Sequence, residues 1–100
     1  MFDIKVRSCE YDDINITLKK DPFKISFKQK DRYRFLDLLE KLLEATKKKE
    51  LYLERYSCFS TSDGIVEIFI GNSHENSIIK LQNKEGIRLL EDMIEKIHEI

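Results

Sequence analysis

The sequence predicts an α+β fold in which a duplicated βββα unit builds an antiparallel sheet of up to six strands, with two helices packed on one face. Three observations carry this reading. Apolar and polar residues alternate over short runs in both halves, each set of runs gives way to helical spacing, and the two halves correspond residue by residue.

Phe2, Ile4 and Val6 alternate with Asp3, Lys5 and Arg7, the period of a half-buried strand. Glu10 to Asp13 reads as a turn. Ile14, Ile16 and Leu18 then alternate with Asn15 and Thr17, Lys19-Lys20-Asp21-Pro22 supplies turn chemistry, and Phe23, Ile25 and Phe27 alternate with Lys24, Ser26 and Lys28. The result is a three-stranded meander. From about Lys30 the period lengthens: Phe35, Leu36, Leu39, Leu42 and Leu43 fall at helical spacing, and the helix runs to about Lys48. Lysines 47, 48 and 49 suit its negative end.

The pattern then restarts. Leu51 and Leu53 open a strand expected to continue to about Cys58, Phe59 to Gly64 reads as a turn containing Asp63-Gly64, and Val66, Ile68 and Ile70 alternate with Glu67 and Phe69. Gly71 to Asn76 reads as a further turn. Ile79 and Leu81 mark a third strand, and Asn83 is the expected helix N-cap ahead of Glu85. Ile87, Leu90, Met93, Ile94 and Ile97 form one stripe to the C-terminus.

Between halves, Ser8-Cys9 matches Ser57-Cys58, Ile14 matches Val66, Ile25 matches Ile79, and the segment from Asp37 to Leu42 matches that from Asp92 to Ile97. The offset grows in the turns, where insertions are tolerated, as expected of a duplicated unit. A chain of 100 residues is long enough for one core and short for two, so residues 1–100 read as a single domain with pseudo-repeats 1–49 and 50–100.

Hydrophobic residues at 41% and charged residues at 37% describe a folded chain, not a disordered one. The net charge of −1 argues against a generally basic nucleic-acid binder, yet residues 1–49 carry 13 Lys and Arg against 9 Asp and Glu, and residues 50–100 carry 5 against 10. The first half is basic and the second acidic. No run is apolar enough to act as a secretory signal or to cross a bilayer, so the expected location is the cytoplasm. Thirteen Lys and 13 Ile against one Ala suit an AT-rich coding sequence, as in low-GC bacteria, their phages or archaeal viruses.

With helices on one sheet face, function is expected on the other. Lys5, Arg7, Lys24 and Lys28 point there from the first half, with Asn15, Thr17 and Ser26 between them. From the second half, Tyr52, Glu54, Tyr56, Glu67, Phe69, Ile78 and Lys80 are expected outward, a surface rich in aromatics. Tyr52, Tyr56, Phe69 and Ile78 are the candidate partner-binding residues, for a protein partner or a second copy. Lys5, Arg7, Lys24 and Lys28 are the candidate nucleic-acid-binding residues.

Phe23-Lys24-Ile25-Ser26-Phe27-Lys28-Gln29 running into the first helix, and Ser77-Ile78-Ile79-Lys80-Leu81-Gln82-Asn83 running into the second, resemble the last strand and helix of the PC4-like (whirly) family. Proteins of that family bind single-stranded DNA on curved sheets. The resemblance covers those strand-to-helix segments and implies single-stranded DNA as a ligand.

Catalytic signatures are not found. His74 and His98 have no metal-ligand partner at helical or hairpin spacing, two cysteines (Cys9 and Cys58) are too few for a thiolate zinc site, and three glycines cannot build a phosphate cradle. No metal or cofactor is expected. The leading expectation is a small non-enzymatic binding or regulatory protein, of the inhibitor, immunity or phage-regulator kind, docking on a protein through its open sheet face. The alternative is a single-stranded nucleic-acid-binding protein, and the third reading is a small hydrolase or nuclease.

Overall fold

Alternation and helical spacing resolve into seven strands and two helices in the computed structural model, which describes residues 2–54, 57–71 and 76–100, side chains of 70, 71, 76 and 77 excepted. In chain order these are β1 (Asp3–Ser8), β2 (Ile14–Lys20), β3 (Phe23–Gln29), α1 (Arg32–Lys47), β4 (Tyr52–Leu53), β5 (Phe59–Ser62), β6 (Ile65–Gly71), β7 (Asn76–Leu81) and α2 (Asn83–His98). Hydrogen bonding divides the strands into two antiparallel sheets, β1-β2-β3 and β4-β5-β6-β7. The single sheet of up to six strands is therefore corrected to separate sheets of three and four. The extra strand is β5. Its Ser60-Thr61-Ser62 run has turn composition, but Phe59 and Thr61 face inward and are buried against the ladder with β6.

Chain contacts group Met1–Glu40 with Leu89–Ile100 in one compact unit and Lys41–Arg88 in another, so each helix contributes residues to both. In the first unit, cross-strand rows run Ile4↔Leu18↔Ile25 and Val6↔Ile16↔Phe27. Ile4, Ile16 and Leu18 are buried on the inward side, and the Phe27 ring meets Phe35 of α1 edge-on at 6.2 Å. That contact places α1 on this face. The start of α1 is tied down by its neighbours: Asp31 Oδ1 accepts from Arg34 N at 3.3 Å, and Arg32 N donates to the Asp12 carbonyl at 2.8 Å. Asp31 is thus a cap, the side-chain oxygen serving a backbone N–H left unpaired by the first helical turn.

In the second unit the inward row is Thr61↔Val66↔Leu81, followed by Phe59↔Ile68↔Ile79. Thr46 of α1 is fully buried and donates through Oγ1 to the Leu42 carbonyl at 2.7 Å. Its one proton is committed there, so Thr61 Oγ1, 2.9 Å away, supplies the proton of the hydrogen bond between the two hydroxyls. The first turn of α2 lies close on β6, because a Cβ at Gly86 would come within 2.6 Å of Val66 Cγ2. The first α2 bond runs from Gly86 N to the Gln82 carbonyl, which moves the cap from Asn83 to Gln82. Helix α1 ends in a Schellman motif: Glu50 N donates to the Ala45 carbonyl, Lys49 N to that of Thr46, and Lys49 takes φ of 57°. Among the described residues, no helix is long and apolar enough to cross a membrane.

Candidate functional site

Each sheet has one face turned away from its buried row, and the two faces differ in chemistry. On the first sheet the register sets Lys5 beside Thr17 and Ser26, Arg7 beside Asn15 and Lys28, and Asp3 beside Lys19 and Lys24. The four expected cations Lys5, Arg7, Lys24 and Lys28 therefore share one face, and all are exposed. Lys19 joins them. The alternation of Asn15 and Thr17 carried one step further identifies it, although Lys19 also reads as turn chemistry. Between the cations, Thr17 Oγ1 and Ser26 Oγ lie 3.1 Å apart and Ser26 donates to Asn15 Oδ1 at 3.4 Å. The centre of the face is thus a small polar network that satisfies itself. Lys28 approaches Asp13 in the β1–β2 turn at 3.6 Å.

The first unit as a whole is not basic, holding 10 Lys and Arg against 12 Asp and Glu. Its sheet face carries five cations against Asp3 alone. Positive charge is segregated to this face by strand alternation, and a surface of one sign steers ligands of the other.

The second sheet departs from expectation at β4. Tyr52 pairs with Thr61 and Leu53 with Ser60, so Tyr52 takes the inward side and Leu53 the open one. Tyr52 is half-buried with its hydroxyl on Glu54 Oε2 at 3.1 Å, whereas Leu53 is 70% exposed. Tyr52 is corrected: it does not belong to the open face. The physical reason is that a two-residue strand takes its facing from the register of its neighbour, and a tyrosine can bury its ring while its hydroxyl stays bonded at the rim. Glu54 lies outside β4 and Tyr56 lies outside the described residues, so the strand expected to reach Cys58 stops at Leu53.

Phe69 and Ile78 are cross-strand partners on β6 and β7, both on the open face, 49% and 56% exposed. Phe69 N donates to the Cys58 carbonyl at 2.7 Å, so its backbone is directed toward the β5 side. The Phe69–Ile78 pair on the β7 side is then a non-hydrogen-bonded one, the type that brings side chains closest. Beside it, Lys80 Nζ approaches Glu67 Oε1 at 3.9 Å. The geometry brings together two of the four expected partner-binding residues, Phe69 and Ile78.

An open concavity of about 260 Å³ is lined by Lys41, Glu44, Ala45, Lys48, Glu50, Leu51 and Tyr52, slightly below the range usual for small-molecule sites. In it Lys48 Nζ bonds Glu44 Oε1 at 2.8 Å. That hydrogen bond, with the attraction between the charges, holds the Glu44 carboxyl below and the Lys48 ammonium above their ordinary values. A general acid at neutral pH needs the opposite shift. Burial pushes the Cys58 thiol up to about 11, away from the thiolate form that reactive cysteines use. Both cysteines are free thiols. Among the described residues, no group of three or more His, Cys, Asp and Glu side chains is placed to hold a metal ion; His74 lies outside them. Compared with known proteins, the chain matches no family model, no curated protein and no solved structure.

Proposed function

We propose that this chain is a small, non-enzymatic, regulatory binding protein that docks on a protein partner through the open face of its second sheet. The observation that carries the reading is the close Phe69–Ile78 pair, two large apolar side chains about half exposed at adjacent positions of a regular ladder. Such anchors, flanked here by the charged pair Glu67 and Lys80, are the usual energetic centre of protein interfaces. Phe69→Ser tests it. The variant folds as the parent does and loses both self-association and the capture of partners from a cell lysate; unchanged capture and association contradict the reading.

The reading also takes the two halves as diverged copies. It is supported by the matched residues falling at equivalent places: Ile14 and Val66 are buried inward on the next-to-last strand of their sheets, and Ile25 and Ile79 sit inward on the last strand before each helix.

A second reading, single-stranded nucleic-acid binding, is favoured by Lys5, Arg7, Lys19, Lys24 and Lys28 sharing one face. Among the described residues, the strand positions of that face hold no aromatic for base stacking, so binding would rest on phosphate contacts and fall steeply with salt. Titration with labelled oligonucleotides at low and moderate salt tests it, and no binding at low salt removes it.

A further inference from the structure

We infer that β7 pairs edge to edge, antiparallel, with β7 of a second copy of this chain. The inference rests on the reading of the Phe69–Ile78 face as an interface, and deepens it: edge pairing joins that face to its copy in one continuous sheet.

Among the described residues the two sheets end in four edge strands, β1, β3, β4 and β7. Unpaired strand edges recruit further strands, and proteins block them with short length or with charged side chains, lysine above all. Strand β4 is two residues long. Strand β1 carries Asp3, Lys5 and Arg7, and β3 carries Lys24 and Lys28, so adding a copy at either would set one five-cation face beside another. Strand β7 differs on both counts. It runs for six residues with Lys80 as its one charged residue.

Backbone direction points the same way. Because Phe69 turns its N–H toward Cys58 and pairs with Ile78 across β7, the Ile78 N–H and C=O are directed away from β6, toward the open edge. By the two-residue period Lys80 is directed likewise. An antiparallel two-fold pairing with Ile78 opposite Ile78 of the second copy uses these groups, each strand both giving and receiving bonds, as an isologous contact requires. The same register continues the row Phe69–Ile78 into Ile78 and Phe69 of the second copy. Four apolar side chains then lie side by side across four strands. Lys80 falls opposite position 76 of the second copy, so the pairing opposes no like charges.

Sedimentation velocity over a concentration series reaching about 100 μM, above the micromolar range of modest interfaces, tests this. The expected result is a reversible monomer–dimer equilibrium. Lys80→Pro keeps Phe69 and Ile78 and removes an outward N–H that β6 does not use, so it weakens the dimer about tenfold or more, an ordinary effect at a proline-blocked edge. Ile78→Lys, at an exposed position, sets two ammonium groups opposite each other and gives a monomer with the parent's circular dichroism and melting curve. A chain that is monomeric throughout, or a dimer that survives Ile78→Lys with the fold intact, overturns the inference. If the chain is monomeric and Phe69→Ser still abolishes lysate capture, self-pairing fails while the docking face stands; if the chain is monomeric and Phe69→Ser leaves capture unchanged, both fail.

Discussion

The open face of the first sheet and the open face of the second are built by the same rule and end in opposite chemistry. On the first, alternation exposes Lys5, Arg7, Lys19, Lys24 and Lys28 around a Thr17–Ser26–Asn15 network whose polar groups bond one another. Such a surface is already at home in water. On the second, alternation exposes Leu53, Phe69 and Ile78, and apolar area left in water gains free energy when covered, at roughly 25 cal/mol per Å². The same alternation does not fix the chemistry of a face; the residues at every second position do.

The contrast can be broken most severely from the inward sides. Ile16→Ala in the first sheet and Ile68→Ala in the second, both fully buried, each cost about 2–5 kcal/mol of stability in urea melts. Their strand neighbours Thr17→Ala and Phe69→Ser cost much less, within about 1 kcal/mol, because they face solvent. Equal costs for neighbours would show the facing is wrong. Next, Gly86→Ala gains about 1 kcal/mol of helix propensity but presses a methyl onto the buried, β-branched Val66, for a net loss of about 1–3 kcal/mol by thermal melting.

Cys58 gives the third effect. Its thiol keeps its proton in the folded state up to about 11, whereas the unfolded chain releases it near 9.0. Between those values the unfolded state binds fewer protons, so this contribution to stability is intact below 9.0 and declines as pH rises to about 11. Urea midpoints at pH 8 to 11 for parent and Cys58→Ala check it, the decline being shallower in the variant. The smallest effect is a gain: Lys49→Gly relieves the positive φ at the end of α1 and raises stability by about 0.5–1 kcal/mol.

Much of this was legible in the sequence where a pattern ran long enough to enforce one facing. Ile4, Ile16 and Leu18 go inward and Lys5, Arg7 and Lys24 outward as their period demands, and slipping a strand by one residue would bury the lysines. Both helices appear where the spacing lengthens, although in α1 the buried apolar set is Phe35, Leu38, Leu39, Leu42 and Ala45, a slight rotation from the stripe that includes Leu36 and Leu43. Legibility failed where facing is set by a neighbour. Tyr52 and Leu53 exchange sides because β4 is too short to set its own register, and Phe59 to Ser62 form a strand despite a composition suited to turns. Asp63-Gly64 does turn the chain, with φ of 53° and 81°, which suits the tight hairpin between β5 and β6. Division into two sheets could not be read, since alternation fixes which side a residue faces and says nothing of which strands pair.

The measurement that bears most directly on the difference between the faces compares two folded variants in one capture assay, Phe69→Ser on the second sheet and Lys24→Ser on the first. Loss of protein partners with Phe69→Ser and retention with Lys24→Ser is the predicted result. Retention with Phe69→Ser and loss with Lys24→Ser would place recognition on the cationic face and contradict docking through the second sheet.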